Sequence, residues 1–90
     1  MLEVGEEGIA AMILNLEEYT VGAVVLGEDV TIQEGDIIWF HRISDGNPNV
    51  LHRVIQKKEG WVVTRGDNTV INDGPTAYKN IKGYCGMIIY

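Results

Sequence analysis

His52, Asp67 and Asp73 are the residues of this 90-residue chain whose types and spacing could do chemistry. His52 lies in the apolar run at 50–55. Asp67 sits in the turn sequence Gly66-Asp67-Asn68 and Asp73 in Asn72-Asp73-Gly74, both of which tolerate left-handed backbone. Between them, Trp61-Val62-Val63-Thr64 is β-branched and aromatic and reads as a strand. Lys57-Lys58-Glu59-Gly60 reads as the polar turn that folds this strand back on the His52 run. A hairpin of this kind can bring a histidine to a carboxylate, the base-and-orienter half of a hydrolytic triad. The nucleophile is the missing part. The chain has one serine, Ser44, in the loop sequence Ser44-Asp45-Gly46-Asn47-Pro48-Asn49. Three readings stand at this level. His52 and Asp73 form a dyad without a nucleophile; or they are ordinary strand and turn residues with no spatial relation; or they serve a site completed by Cys85 or a threonine.

The elements that must hold these residues read as short strands. Residues 9–14 (IAAMIL) form an apolar run suited to a buried strand, after an acidic stretch at 1–8 that reads as frayed. Residues 20–26 (TVGAVVL) read as one strand, in which Gly22 permits a bulge. Gly27-Glu28-Asp29 and Glu34-Gly35-Asp36 read as turns around the extended Val30-Thr31-Ile32. Residues 36–43 (DIIWFHRI) form a strand, Asp45-Gly46 marks a hairpin, Gly74-Pro75 opens a loop, and residues 87–90 close the chain. Six or seven short strands at about 8–12-residue spacing, with no helical apolar period, predict an all-β fold, a small barrel or sandwich.

Composition fits one small domain spanning residues 1–90. The apolar share, 46%, is ordinary for a globular chain. No run approaches the roughly 18 apolar residues of a membrane span, and no secretory leader is evident. The lone Cys85 excludes an internal disulfide and reads as a small buried hydrophobe. The net charge of −6 argues against a nucleic-acid partner. That charge is unevenly placed: residues 1–36 carry nine acidic side chains and no Lys or Arg, whereas residues 37–90 carry seven basic and four acidic. Two faces of one barrel could segregate charge in this way; so could two segments of different origin meeting near Asp36.

Two resemblances follow that division. His-Arg-Val-Ile at 52–55, Thr-Arg-Gly-Asp-Asn at 64–68 and an aspartate six residues beyond Asp67 occur in that order. GDIIWF leads into them and Ile81-Lys82-Gly83 leads out. The set resembles the catalytic core of type I signal peptidases, in the archaeal and endoplasmic-reticulum branch where histidine replaces the bacterial lysine. The resemblance spans about residues 35–83. It implies that His52 matches the general base, that Asp73 matches the carboxylate orienting it, and that Asp67 lies in the Gly-Asp-Asn turn. That family's Ser-Met-x-Pro nucleophile motif is absent, so these positions read as vestigial. The earlier stretch LNLEEYTVGAVVLGEDVTIQEGD resembles the N-terminal β-barrel domain of the ATP synthase α subunit, over about residues 8–38. It implies a structural segment. It does not imply nucleotide binding, because no G-x-x-x-x-G-K-[ST] loop occurs.

Together these features describe a chimera, segment-swapped and without catalytic function, joined at the shared Gly-Asp-Ile-Ile. The alternatives are a peptide-binding module with a dead site and a peptidase completed by a nucleophile from elsewhere. No cofactor or metal is expected; a set of His41, His52 and Cys85 lacks ligand spacing. Neither nucleotide nor nucleic acid is expected as a partner. The chain is expected to form a homodimer by strand exchange or edge pairing, with 20–26 and 87–90 as the unprotected edges.

Overall fold

A computed structural model describes residues 3–5, 10–15, 18–20, 23–26 and 30–89. In chain order the strands are β1 (Glu3–Val4), β2 (Ala10–Asn15), β3 (Glu18–Thr20), β4 (Ala23–Leu26), β5 (Val30–Thr31), β6 (Ile37–Phe40), β7 (Val50–Lys58), β8 (Trp61–Arg65), β9 (Pro75–Ala77) and β10 (Ile81–Ile89). A single 3-10 turn, Tyr78–Asn80, separates β9 from β10. The all-β expectation holds.

The principal sheet has the order β2-β10-β6-β7-β8-β9, with β1 added to β7 in parallel. All its other ladders are antiparallel. Strands β3, β4 and β5 form a separate antiparallel sheet. Among the described residues no ladder joins β2 to β9, so the principal sheet is open and does not close into a barrel.

Local chemistry sets the two central hairpins. Between β6 and β7, Asp45 Oδ1 accepts the Asn47 amide at 3.1 Å and Gly46 takes φ 72°, a left-handed value that a side chain disfavours. Between β7 and β8, Gly60 takes φ 89° and Lys58 faces Trp61, so the turn is the two residues Glu59-Gly60. Strand β7 therefore runs through Lys57 and Lys58, which the sequence had suggested were part of the turn.

Ile32, Ile38, Phe40, Val50, Val54, Val62, Tyr78 and Ile81 form the core. Burial of each large aliphatic or aromatic side chain stabilises the fold by about 1.5–3 kcal/mol. From His52 to Ile55 β7 alternates between buried and half-buried positions, as a strand does, before its pairing with β8 shifts register between Val54 and Gln56. His52 and Val54 face the core, while Arg53 faces the other way. Trp61 is exposed and Trp39 half-buried, its indole N–H donating to Asn49 Oδ1 at 3.1 Å with Lys82 Nζ 5.3 Å from the ring centre.

Several expectations are corrected. The stretch at 20–26 is not one strand: β3 ends at Thr20 and β4 begins at Ala23, and the two pair antiparallel with Thr20 opposite Ala23. The β4 portion is not an edge, because it lies between β3 and β5. Residues 87–89 pair with β2 on one side and extend past the β6 ladder, which ends at Tyr84, so the edge expected there is not overturned among the described residues. The loop expected after Gly74 begins with β9, which pairs with β8. Glu3 and Val4, expected to fray, pair with Val50 and Leu51. The bulge at Gly22, the turn at 27–29 and Tyr90 lie outside the described residues.

Candidate functional site

His52 lies near the start of β7, on its core face, 4% exposed. The Phe40 ring meets the imidazole edge-on at 6.5 Å between centroids. Asp73 is carried by the loop after β8 and is tied back to that strand: its amide donates to the Thr64 carbonyl at 2.9 Å. Within that loop, Thr69 N donates to Gly66 O at 3.0 Å and closes the Gly66-Asp67-Asn68 turn. The loop thereby returns Asp73 over β7, where Oδ2 meets His52 Nδ1 at 2.6 Å. Thr64 Oγ1 donates to the same Oδ2 at 2.7 Å. The expected spatial relation between His52 and Asp73 is present as this contact.

Asp67 does not join them. It forms a bidentate pair with Arg53, Nε to Oδ1 and Nη2 to Oδ2, both at 2.9 Å. The reason is the two-residue period of the strand, which turns Arg53 to the face opposite His52. Gly66, just before it, packs closely on the ring: a Cβ there would stand 3.1 Å from His52 Nε2 and 3.4 Å from Gly5 Cα.

Two residues that sequence reasoning passed over complete the cluster. Arg42, just beyond β6, donates from all five N–H groups to three carboxylates. Nε and Nη2 bind Asp45 at 3.0 and 2.6 Å. Nη1 and Nη2 bind Glu3 at 2.7 and 2.8 Å. The remaining Nη1 donor binds Asp73 Oδ1 at 2.8 Å. Glu3 also places Oε2 3.2 Å from His52 Nε2. Carboxylate oxygens thus face both nitrogens of the imidazole. Both contacts are hydrogen bonds only when the ring carries a proton on each nitrogen.

The charges reinforce one another. Hydrogen bonds to Asp45 and Glu3 hold the Arg42 guanidinium well above its ordinary value, burial opposes them, and Asp73 adds to them. Arg42 lowers Asp45 to about 2. Burial pushes the Asp73 carboxyl up, but hydrogen bonds from His52 and Thr64 outweigh it and leave the group below the usual range. Arg53 does the same for Asp67.

An open cleft of about 350 Å³ lies over this cluster. Its walls include Arg42, His52 and Asp73, together with Ser44 from the loop between β6 and β7. Glu3, His52 and Asp73 each offer one metal-donor atom, all within 4.8 Å of one another. Arg42 already lies on both carboxylates and supplies the positive charge such an ion would bring. The set therefore does not fit a metal ion well. Cys85 is half-buried. No helix among the described residues is long and apolar enough to cross a membrane.

Comparison with known proteins accounts for the first part of the chain. Residues 1–41, less than half of it, match the β-barrel domain of the ATP synthase alpha/beta family. ATP synthase subunit alpha of Caldanaerobacter subterraneus subsp. tengcongensis is 54% identical over 33 residues, 37% of this chain and 6% of that protein. ATP synthase subunit alpha of Mycoplasma mycoides subsp. mycoides SC is 53% identical over 30 residues, 33% of this chain and 6% of that protein. The chain thus spans only a small fraction of the length of these relatives. No solved structure matches it. The matched segment does not fold apart from the rest. It supplies β1 to β7, β2 to β10, and β6 to both β7 and β10.

Proposed function

We propose that the chain is a non-catalytic β protein in which a segment of ATP synthase α barrel type continues, near Asp36, into a segment of signal peptidase type. His52 and Asp73 are then an inherited base and orienter that now serve as a buried polar anchor. The observation that carries this reading is the Glu3 carboxylate 3.2 Å from His52 Nε2. A general base needs a lone pair on that nitrogen and a hydroxyl or thiol facing it. A carboxylate there supplies no proton to remove. When it accepts a hydrogen bond from Nε2, that nitrogen carries a proton and has no lone pair to offer. The likeness of residues 35–83 to signal peptidases and the break in charge at Asp36 support the same reading. No nucleotide partner is proposed, since the chain lacks a phosphate-cradling loop and carries a net charge of −6.

Among the described residues β2 pairs on one side only, which makes self-association by edge pairing part of this proposal. A serine-reactive fluorophosphonate probe tests the catalytic side. No labelling of Ser44 is expected in the native protein. Labelling that is lost on His52→Ala would replace the anchor with a working site.

A second reading, an extended-peptide-binding module, has one observation in its favour. Ile71 lines the cleft and is 77% exposed, and its neighbour Val70 is 90% exposed.

A further inference from the structure

The contacts of Glu3 have the form of a ligand in a receptor. The segment carrying it is a two-residue strand laid parallel on the first residues of β7, with Glu3 opposite Val50 and Val4 opposite Leu51. The Glu3 amide donates to the Asn49 carbonyl at 2.7 Å. Strand β8 pairs with β7 only from Arg53 onward, so β1 fills a length of β7 that β8 does not reach. The side chain then ends on two donors from Arg42, with the His52 ring nitrogen 3.2 Å from Oε2. Arg42 and His52 are themselves fixed from behind, Arg42 by Asp45 and Asp73, and His52 by Asp73. Their side chains are only 13% and 5% exposed. Gly66 leaves room for a passing backbone, since its absent Cβ would stand 3.4 Å from Gly5 Cα.

We infer that Arg42, His52 and the free length of β7 form a binding site for an extended peptide strand that presents a glutamate, and that β1 occupies it in cis. Main-chain pairing with Val50 and Leu51 supplies the strand-addition part of the recognition, and the bidentate Arg42 contact supplies the preference for a carboxylate. Tethering gives β1 a high effective concentration, so an outside peptide competes poorly against it. Removing the Glu3 carboxylate leaves two Arg42 donors open and weakens the competitor. The inference does not depend on where the two segments came from or on whether the site is catalytic.

The experiment uses the full chain, as wild type and as Glu3→Ala, with two blocked peptides, Leu-Glu-Val-Gly and Leu-Gln-Val-Gly. The readout is the His52 ring and the Val50 and Leu51 amide signals by NMR. The glutamate peptide is expected to bind Glu3→Ala at least roughly tenfold more tightly than it binds the wild type. It should also exceed the glutamine peptide by roughly tenfold or more, as a charge-assisted contact requires. If Glu3→Ala does not fold, Glu3→Gln keeps the shape of the side chain and is read in the same way. Equal binding of the two peptides, or no shift at His52 with either, overturns the inference.

Discussion

His52 Nδ1 and Asp73 Oδ2 lie 2.6 Å apart although the residues are 21 positions apart, and the contact is fixed from both sides. Thr64 Oγ1 holds the same oxygen and Arg42 holds the other. Asp73 is therefore held by three different residues, where Glu3 and Asp45 are each held by two, and its side chain is 7% exposed.

Removing it should be costly. Asp73→Ala leaves the Arg42 charge short of one partner and the imidazole without its anchor, and is expected to destabilise the fold by about 3 kcal/mol. Thr64→Val removes one of three donors and should cost about 1 kcal/mol. Asp67→Asn breaks a pair that is about one-third exposed on each side and should cost less than about 1 kcal/mol. Urea denaturation of the three variants checks the order. An Asp67 effect as large as that of Asp73 would contradict the separation of the two carboxylates.

Acid should weaken the protein through these groups. Asp45 is lowered to about 2, and Asp67 and Asp73 are also held below their ordinary value. A carboxylate depressed in the folded state stabilises it at pH values above the unfolded pKa, about 3.9. That contribution is lost as pH falls through the folded value. Stability should then be insensitive to these groups above about pH 5 and decline steeply between about pH 4 and 2. Denaturation midpoints measured across that range should show the decline, and Asp73→Ala should flatten it. An unchanged slope in the variant would remove Asp73 from the account.

Gly66 tests the packing above the ring. Gly66→Ala places a methyl 3.1 Å from His52 Nε2, with the Gly5 backbone beyond it. Neither neighbour can withdraw freely, because the ring is held by Asp73 and Gly5 directly follows β1. A loss of about 1–3 kcal/mol in thermal or urea unfolding is expected, as for overpacked sites. An unchanged midpoint would mean that β1 yields at little cost.

The open end of the principal sheet predicts self-association. Strand β2 pairs with β10 on one side only, among the described residues. Its sequence AAMILN carries neither Lys nor Pro to discourage pairing with another chain, whereas Pro75 starts β9 at the other end of the sheet. Light scattering over a dilution series should give a mass rising above 10.0 kDa with concentration. A constant mass at that value would rule out association.

Legibility in the sequence followed the range of the interaction. The His52 strand, the Trp61 strand and the two glycine turns are local signals of β-branching and turn chemistry, and they bring His52 to Asp73 as read. The ATP-synthase-like stretch was likewise legible from its own residues, and residues 1–41 match that domain. The antiparallel pairing of β3 with β4 was hidden because a glycine inside the apolar run at 20–26 reads as a bulge within one strand. Strand β9 is three residues beginning with proline, too short to show a period. Arg42 and Glu3 were invisible as partners because 39 positions separate them and nothing local marks either residue. The assignment of Glu3 to a frayed acidic end was reasonable from composition. It failed because two Arg42 donors meet the Glu3 carboxylate in the folded protein, beside the His52 ring.

The central claim is that His52 and Asp73 hold structure and do not catalyse. Turnover of a fluorogenic peptide with small residues at the scissile bond, by wild type and His52→Ala at equal concentration, tests it most directly. The account predicts the same background rate from both proteins, together with a lower unfolding midpoint for the variant. A wild-type rate clearly above background and abolished by His52→Ala, with the variant still folded by circular dichroism, would contradict it.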